Sequence, residues 1–256
     1  MRLIVTRPRA QADTLVAELQ ALGVDALALP LIEIVPLPDA APLQRAWQSL
    51  PEHALLMFVS ANAVQQFMLA RPSGAAWPAE VLAGSTGPGT SAALRAAGVP
   101  PQALVEPEGE VFDSEALWRR LQPREWQGRR VGVVRGVGGR DWLAAQLRAA
   151  GADVTFLDAY LRRAPAPSPA LQAVLQEVRA APQRHLWAFG SSEAVAHLQQ
   201  LAPGADWTTS AAVAPHPRIV SALRLAGFGR TALVPADARA LAAAARAGPP
   251  IQSAEP

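Results

Sequence analysis

The sequence predicts an α/β fold in which two similar lobes each contain a parallel sheet flanked by helices. Short apolar strands alternate with amphipathic helices along the 256 residues, which is typical of parallel sheets covered by helices on both faces. The chain also repeats itself: the hexapeptide RLIVTR at residues 2–7 is echoed by RVGVVR at residues 130–135. The echo comes half a chain length later, which indicates two similar lobes with a cleft between them. Parallel sheets of this kind bind ligands where their strands end.

The first copy opens with a strand, a helix and a second strand. Apolar residues predict a strand over Arg2–Thr6, and Pro8 suits the first turn of the helix that follows. Leucines at helical spacing predict that helix over Ala10–Leu22, closed by a glycine. A strand over Ala26–Val35 is expected next, interrupted at Pro30.

The remaining elements continue the alternation, with bounds set by apolar periodicity and capping residues. The first half is expected to add a helix near Leu43–Leu50, a strand Ala54–Val59, a helix opening at Ser60, a strand Glu80–Ala83, a helix Thr90–Ala97, and a helix capped by Asp113 or Ser114 that ends at Leu121. The second half is expected to contain a strand Val131–Val134, a helix Asp141–Ala150, a strand Val154–Leu157, a helix Leu171–Arg179, a strand His185–Phe189, a helix opening at Ser192, strands Ala212–Ala214 and Leu233–Pro235, and a last Ala-rich helix. Pro-rich stretches at 36–42 and 165–169 predict linkers, and the tail 248–256 is expected to be disordered.

Composition restricts the cellular setting. The chain has no cysteine, so no disulfide can form, which suits a reducing compartment. Its longest apolar run, Ala54–Val59, is too short to span a membrane, and the N-terminal apolar run is too short for a signal peptide. We therefore expect a soluble cytoplasmic protein that does not bind membranes.

Composition also excludes some chemistry. All 23 basic residues are arginines, which rules out Schiff-base catalysis by lysine and a phosphate-loop lysine. The arginines are dispersed, which disfavours nucleic-acid binding. A metal site is not expected, because the chain has no cysteine and its histidines are scattered at His53, His185, His197 and His216.

Six predicted junctions between a strand and a helix share one chemical character. Each places small, hydroxylic or arginine residues where a helix begins, and free backbone N–H groups favour anions there. A single junction of this kind is more often a plain helix cap, but six in two lobes favour a ligand with several negative groups. The junctions are Thr6-Arg7-Pro8, Ser60-Ala61-Asn62, Gly87-Pro88-Gly89-Thr90, Arg135-Gly136 through Arg140, Gly190-Ser191-Ser192 and His216-Pro217-Arg218.

The glycine-rich junction leaves a second interpretation open. Gly136 and Gly138 follow a strand and precede a helix, and Asp158 ends the next strand, as in much of a dinucleotide-binding fingerprint. However, Asp141 stands where the third glycine belongs and would set a carboxylate beside a pyrophosphate. Nucleotide binding is therefore the weaker alternative.

Tyr160 is the only tyrosine in the chain. It lies just before the second Pro-rich stretch. A lone tyrosine is most often a half-buried packing residue, but its hydroxyl could also donate a proton or a hydrogen bond to a leaving oxygen. Both interpretations remain open at this point.

Several short motifs, in this order and spacing, resemble the uroporphyrinogen-III synthase family. The resemblance extends to about Phe228. It is carried by Leu3–Pro8 with Gln11 and Gly23, Phe58–Val64, Gly87–Thr90, Asp113–Glu115, Arg135–Arg140 with Tyr160 and Arg162, and Ser191–Glu193.

The resemblance implies an enzyme that closes hydroxymethylbilane, a linear tetrapyrrole, to uroporphyrinogen III with loss of water and inversion of the last pyrrole ring. It implies a monomer that needs no metal or organic cofactor. It also implies a two-stranded linker between the lobes, near 33–37 and 159–163. One lobe would then be discontinuous, made of 1–35 with 165–256, while 38–157 forms the other.

The resemblance also assigns site residues. Tyr160 matches the family's implicated tyrosine and would assist departure of the hydroxyl. At His216-Pro217-Arg218 the chain departs from the family, which often has a hydroxyl residue there, and Arg218 could supply charge instead. The expected substrate-binding residues are Thr6, Arg7, Ser60, Asn62, Gly87, Gly89, Thr90, Arg135, Gly136, Arg140, Ser191, Ser192, His216 and Arg218.

Two other functions compete with this one. The first is a non-catalytic two-lobed module that binds a small anion. The second is a nucleotide-dependent transferase with two Rossmann-like lobes, which Asp141 argues against.

Overall fold

The computed structural model describes residues 1–108, 113–139 and 141–248. The chain divides into two compact units. The first unit comprises Met1–Glu33 with Arg163–Pro256, and the second unit is Ile34–Arg162. The predicted tail 248–256 lies outside the described residues except for Gly248.

Strands and helices alternate along the described chain. The strands are β1 (Arg2–Val5), β2 (Ala26–Ala28), β3 (Glu33–Pro36), β4 (His53–Phe58), β5 (Leu82–Ser85), β6 (Leu104–Val105), β7 (Arg130–Gly136), β8 (Asp153–Arg163), β9 (His185–Ala188), β10 (Ala211–Ala214) and β11 (Arg230–Leu233). The α-helices are α1 (Arg9–Ala21), α2 (Ala41–Gln48), α3 (Ala61–Leu69), α4 (Pro88–Ala96), α5 (Ser114–Leu121), α6 (Trp142–Ala149), α7 (Pro169–Ala180), α8 (Ser192–Leu201), α9 (Pro217–Leu225) and α10 (Ala238–Ala247). Among the described residues, no helix is long and apolar enough to cross a membrane.

Each unit is built around one sheet. The first has five strands in the order β11-β10-β9-β1-β2, and all four of its strand pairs are parallel. The second has six strands in the order β3-β8-β7-β4-β5-β6, parallel from β8 through to β6. The predicted α/β class, with parallel sheets flanked by helices, is confirmed.

The cores lie between sheet and helices. In the first unit Leu3 and Val5 of β1 are fully buried beneath Leu15 and Leu19 of α1. In the second unit an aromatic cluster fills the space between sheet and helices. Its indole N–H groups donate to backbone carbonyls inside the core, which avoids the free-energy cost of burying an unpaired donor. That cluster consists of Trp47, Phe58, Phe67 and Trp77, with Trp47 Nε1 donating to the Phe67 carbonyl at 2.7 Å and Trp77 Nε1 donating to the Val81 carbonyl at 2.8 Å.

Four predicted strands differ from the observed ones. The strand expected over Glu80–Ala83 is β5, which lies two residues later at Leu82–Ser85. The strand expected over Ala26–Val35 is two strands in different sheets, β2 and β3, because Pro30 lies between them and cannot donate to a ladder. The last strand ends at Leu233, before Pro235, for the same reason. The strand expected over Val154–Leu157 continues without a break to Arg163, so it forms one strand with the linker strand expected near 159–163.

Parallel strands bring their carboxyl ends to one edge of each sheet. We call this the carboxyl edge. The helix that follows each strand begins there, so its first N–H groups and its capping residue lie at the same edge. The predicted site residues therefore lie at these two edges, one in each unit.

Candidate functional site

Tyr160 is joined to Ser60 by a hydrogen bond at the carboxyl edge of the second unit. Their hydroxyl oxygens lie 2.9 Å apart. Tyr160 is only 2 % exposed and its ring packs in the core of this unit. Ser60 caps α3, because its Oγ accepts the backbone N–H of Ala63 at 3.1 Å. The tyrosine is therefore a fully buried packing residue and a hydrogen-bonding residue at once.

Gly136 makes room for the Tyr160 ring. A Cβ atom on residue 136 would lie 2.7 Å from Cε2 and 2.9 Å from Cζ of the tyrosine. The register between β7 and β8 shifts at this point, since Arg135 pairs with Asp158 but Gly136 pairs with Tyr160. Such an irregularity re-aims a side chain, and here it sets the tyrosine ring against the glycine backbone. The role of Gly136 is thus to admit the ring.

Arg135 is held by carboxylates of its own chain. Its Nε donates to Asp158 at 3.0 Å and one Nη donates to Asp141 at 2.6 Å. The guanidinium also stacks 3.7 Å from the ring centre of Phe156, and its side chain is only 16 % exposed. The contact with Arg135 occupies Asp158, the carboxylate that would bind a ribose hydroxyl in a dinucleotide site. Arg140, the other predicted arginine of this junction, lies outside the described residues.

The junction between β5 and α4 is closed by serine hydroxyls. Ser85 Oγ donates to the Gly87 carbonyl at 2.9 Å, and Ser91 Oγ donates to Ser85 Oγ at 2.9 Å. Gly87 is the N-cap of α4, Gly89 in its first turn is exposed, and Thr90 is buried. The Thr90 side chain therefore packs inside the unit, while Gly89 remains accessible. Asn62, in the first turn of α3, is partly exposed.

In the first unit, Thr6 and Arg7 follow β1 but point in different directions. Thr6 is fully buried, and its hydroxyl donates to the Ala188 carbonyl at 2.9 Å. Arg7 is partly exposed and donates from one Nη to the Ala236 carbonyl at 2.6 Å. Burial lowers the pKa of the Arg7 guanidinium, and Glu18 opposes this by raising it. A partly desolvated guanidinium whose fork is mostly unused is a strong binder of carboxylates.

The two remaining predicted junctions are capped helix ends. Ser191 Oγ accepts the Glu193 N–H at 3.1 Å, and the buried Oγ of Ser192 has no hydrogen-bond partner within the described ranges. His216 caps α9, because its Nδ1 accepts the Arg218 N–H at 3.1 Å. The imidazole thus takes the capping role of the hydroxyl expected there, and Arg218 is left exposed at the edge.

The other histidines are used inside the fold. Since a carbonyl oxygen only accepts, the Nδ1 atoms of His53, His185 and His197 donate to the carbonyls of Ser49, Ala181 and Leu31. No group of three or more metal-ligating residues occurs in the described part of the chain.

Sequence reasoning missed a further junction, between β11 and α10. Asp237 caps α10 by accepting the Ala240 N–H at 2.9 Å, and Arg239 is exposed in the first turn. The Ala236 carbonyl that binds Arg7 lies in the same loop. An Asp-Ala-Arg sequence just after an apolar strand was the available signal.

Comparison of the chain with known proteins leads to one family. Residues 13–242 match the family model described as "Uroporphyrinogen-III synthase HemD". Uroporphyrinogen-III synthases of Salmonella typhimurium and Escherichia coli are each 33 % identical, over 165 and 164 residues, with 63 % of this chain matched. This chain covers about 65 % of the length of each. The enzyme of Synechococcus elongatus is 29 % identical over 221 residues, 80 % of this chain and 77 % of that protein.

Solved structures share the fold. The uroporphyrinogen-III synthase of Thermus thermophilus, as a methionine mutant, superposes with a TM-score of 0.59 at 19 % identity, covering 96 % of this chain and 98 % of that one. The Helicobacter pylori protein gives a TM-score of 0.58 at 15 % identity with the same coverage. Because the family model matches most of the residues, the resemblance predicted from short motifs is confirmed, and the chain belongs to the uroporphyrinogen-III synthase family.

Proposed function

We propose that this protein is a uroporphyrinogen-III synthase, which closes hydroxymethylbilane to uroporphyrinogen III with loss of water and inversion of the last pyrrole ring. The observation that carries the proposal, beyond family membership, is the hydrogen bond between Tyr160 and Ser60. It sets two proton-bearing hydroxyls at the end of a strand, where ligands bind in this class of fold. Departure of a hydroxyl as water needs such a proton donor.

The substrate's acidic groups suit the other residues of the two carboxyl edges. The bilane carries eight carboxylates, and helix N-termini with arginine are the groups that proteins use to bind them. We infer that Arg7 and Arg218 bind carboxylates through their guanidinium groups. Backbone N–H groups and side chains at the capped junctions would add hydrogen bonds, from Asn62, Gly87, Gly89, Ser191, Ser192 and His216, while the hydroxyl of Ser60 serves the departure of water with Tyr160.

Four predicted contacts take a different role in this proposal. The hydroxyl of Thr6 is used inside the fold, the guanidinium of Arg135 is paired with two carboxylates, and Thr90 is buried. We therefore assign these side chains to the support of the site. Gly136 supports it too, by admitting the tyrosine ring.

Catalysis would consist mainly of holding the bilane in the folded conformation that leads to the inverted ring. Positioning of reacting groups alone can lower a barrier by roughly 7–11 kcal/mol. The bilane is reactive enough to cyclise unaided, so the proposed reaction needs no metal or organic cofactor. Because the proposed reaction removes water from its substrate, the protein would be a hydro-lyase. We further propose that it acts as a monomer in the cytoplasm. The chain has no cysteine and so no disulfide, which suits that reducing compartment.

Separation of the porphyrinogen isomers tests the proposal. The purified protein is incubated with hydroxymethylbilane made enzymatically in the same tube, with and without EDTA, and the products are resolved by chromatography after oxidation. We expect the type III isomer in both samples, and the type I isomer alone in a tube without the protein. Type I product in every tube would contradict the proposal. Binding of the bilane without conversion would favour a non-catalytic anion-binding module instead.

A further inference from the structure

We propose that Ser60 is the group that protonates the leaving hydroxyl, with Tyr160 behind it as the second member of a two-hydroxyl relay. The inference rests on the proposed function and places Ser60, rather than Tyr160, next to the leaving hydroxyl. It follows from burial, from the hydrogen-bonding capacity of a hydroxyl, and from the position of Ser60 at the start of a helix.

Burial orders the two hydroxyls. Tyr160 is 2 % exposed and is surrounded by the core of the second unit, so a substrate cannot reach its ring without opening that core. Ser60 is partly exposed and lies between the end of β4 and the start of α3. The serine is therefore the member of the pair that a ligand at the carboxyl edge can contact.

Hydrogen-bonding capacity sets the direction of the relay. A serine hydroxyl has one hydrogen and two lone pairs. The backbone N–H of Ala63 uses one lone pair of Ser60 Oγ. If Tyr160 donates across the 2.9 Å contact, it uses the second lone pair. With both lone pairs of the Ser60 hydroxyl used, its remaining hydrogen-bonding capacity is its own hydrogen, which can point at the substrate.

The proposed step is balanced in atoms and charge. The bond between carbon and oxygen of the hydroxymethyl group breaks, and its electron pair leaves with the oxygen. That oxygen takes the proton of Ser60 and departs as water, while Ser60 takes the proton of Tyr160. The organic fragment becomes a cation and Tyr160 becomes a phenolate. Closure with inversion forms two new carbon–carbon bonds to the last ring and breaks the bond that joined that ring to the rest of the bilane. The ring carbon that carried a hydrogen releases one proton, which returns through Ser60 to the phenolate.

The start of α3 is a suitable place for this charge. Its first N–H groups and the positive end of the helix dipole stabilise a nearby negative charge. Ser60 is the capping residue of this helix, and the tyrosine oxygen lies 2.9 Å beyond its Oγ. The helix therefore favours the phenolate that forms when the proton is transferred.

The relay is tested with Ser60→Ala, Tyr160→Phe, the double variant and Ser60→Thr. Ser168→Ala is the matched control, because Ser168 caps α7 by accepting the Leu171 N–H at 3.2 Å, the same geometry without a tyrosine. We expect kcat to fall about 100-fold in Ser60→Ala, a typical contribution of a general acid, with KM nearly unchanged. Tyr160→Phe should reduce kcat by a smaller factor than Ser60→Ala. The double variant should reduce kcat no more than Ser60→Ala does. Ser60→Thr and Ser168→Ala should keep most of the activity.

The outcomes separate the two proposals. A wild-type protein that yields only type I product contradicts the proposed function and the relay with it. An active wild type contradicts the relay alone if Ser60→Ala keeps its kcat, or if Tyr160→Phe reduces kcat by the same factor with and without Ser60. Ser60→Gly repeats the measurement if Ser60→Ala folds poorly, because glycine is tolerated at an N-cap.

Discussion

The ring of Tyr160 lies so close to the backbone of Gly136 that no side chain fits between them: a Cβ at 136 would be 2.7 Å from Cε2. We expect Gly136→Ala to displace the ring and lengthen its hydrogen bond to Ser60. A misplacement of about 1 Å at a reacting group costs up to roughly 100-fold in rate, so kcat should fall by 10- to 100-fold. Because Tyr160 is the only tyrosine, selective labelling gives a single NMR signal that reports the displacement.

Gly132→Ala is the matched control for this variant. Gly132 lies on the same face of β7, and its added Cβ would meet the tip of Leu157 at 3.1 Å, a side chain that can move. Its kcat and tyrosine signal should stay near those of the wild type. An unshifted signal and full activity in Gly136→Ala would refute this account of the glycine.

Arg7 should contribute to substrate affinity. A hydrogen bond to a charged group contributes about 1.5–3 kcal/mol, so Arg7→Gln should raise KM by roughly 10- to 100-fold, with a smaller effect at high salt. Burial lowers the pKa of Arg7 from its usual value, but arginine stays protonated at neutral pH, so the effect should not depend on pH near 7. Arg9→Gln is the control, since Arg9 is exposed and paired with Asp13 at 2.8 Å. Equal KM values for the two variants would exclude Arg7 from the site.

The two carboxylates beside Arg135 should contribute unequally to stability. Asp158 is 40 % exposed and Asp141 is 58 % exposed, and exposed ion pairs are weakened by solvent. We expect Asp158→Asn to lower the free energy of unfolding by about 1 kcal/mol and Asp141→Asn by less than half of that. Urea unfolding, combined with Arg135→Met in a double-mutant cycle, measures each pair. A larger cost for Asp141→Asn would contradict this ranking.

The pair of Glu33 and Arg163 should make a small contribution that depends on pH. The hydrogen bond from Arg163 holds the pKa of Glu33 below its usual 4.5, partly opposed by desolvation. A lowered folded-state pKa gives stability that is present above 4.5 and is lost as the pH falls through the folded-state value. Glu33→Gln should therefore lose less stability than the wild type between neutral and acidic pH. Urea midpoints at both pH values test this, with the exposed Glu80→Gln expected to behave like the wild type.

Local chemistry made much of the fold predictable. Ser60 after an apolar strand predicted the start of α3, and Asp113 predicted the start of α5. Side-chain direction was less predictable. Thr6 follows a strand that is buried on both faces, and such strands have no alternation of polar and apolar residues to show which way a side chain points.

Contacts across strands could not be predicted from the sequence. The approach of Gly136 to Tyr160 depends on a register shift between β7 and β8, and nothing in the residue pattern marks that shift. Arg135 looked free for a ligand, because its partners Asp141 and Asp158 come together only when β7, β8 and the start of α6 are assembled. Residues that match part of a dinucleotide-binding fingerprint can therefore form ion pairs within the fold instead.

The order in which the chain is synthesised has a consequence for β1. This strand lies between β2 and β9 in its sheet, but β9 begins at His185, long after β1 has left the ribosome. The second unit is continuous from Ile34 to Arg162, so all its strands become available first. We expect it to fold while the N-terminal segment waits with Leu3, Ile4 and Val5 uncovered, as domains generally fold as units during synthesis. Nascent chains stalled so that Arg162 has left the ribosome but His185 has not should therefore be protected from protease within 34–162 and cleaved within 1–33.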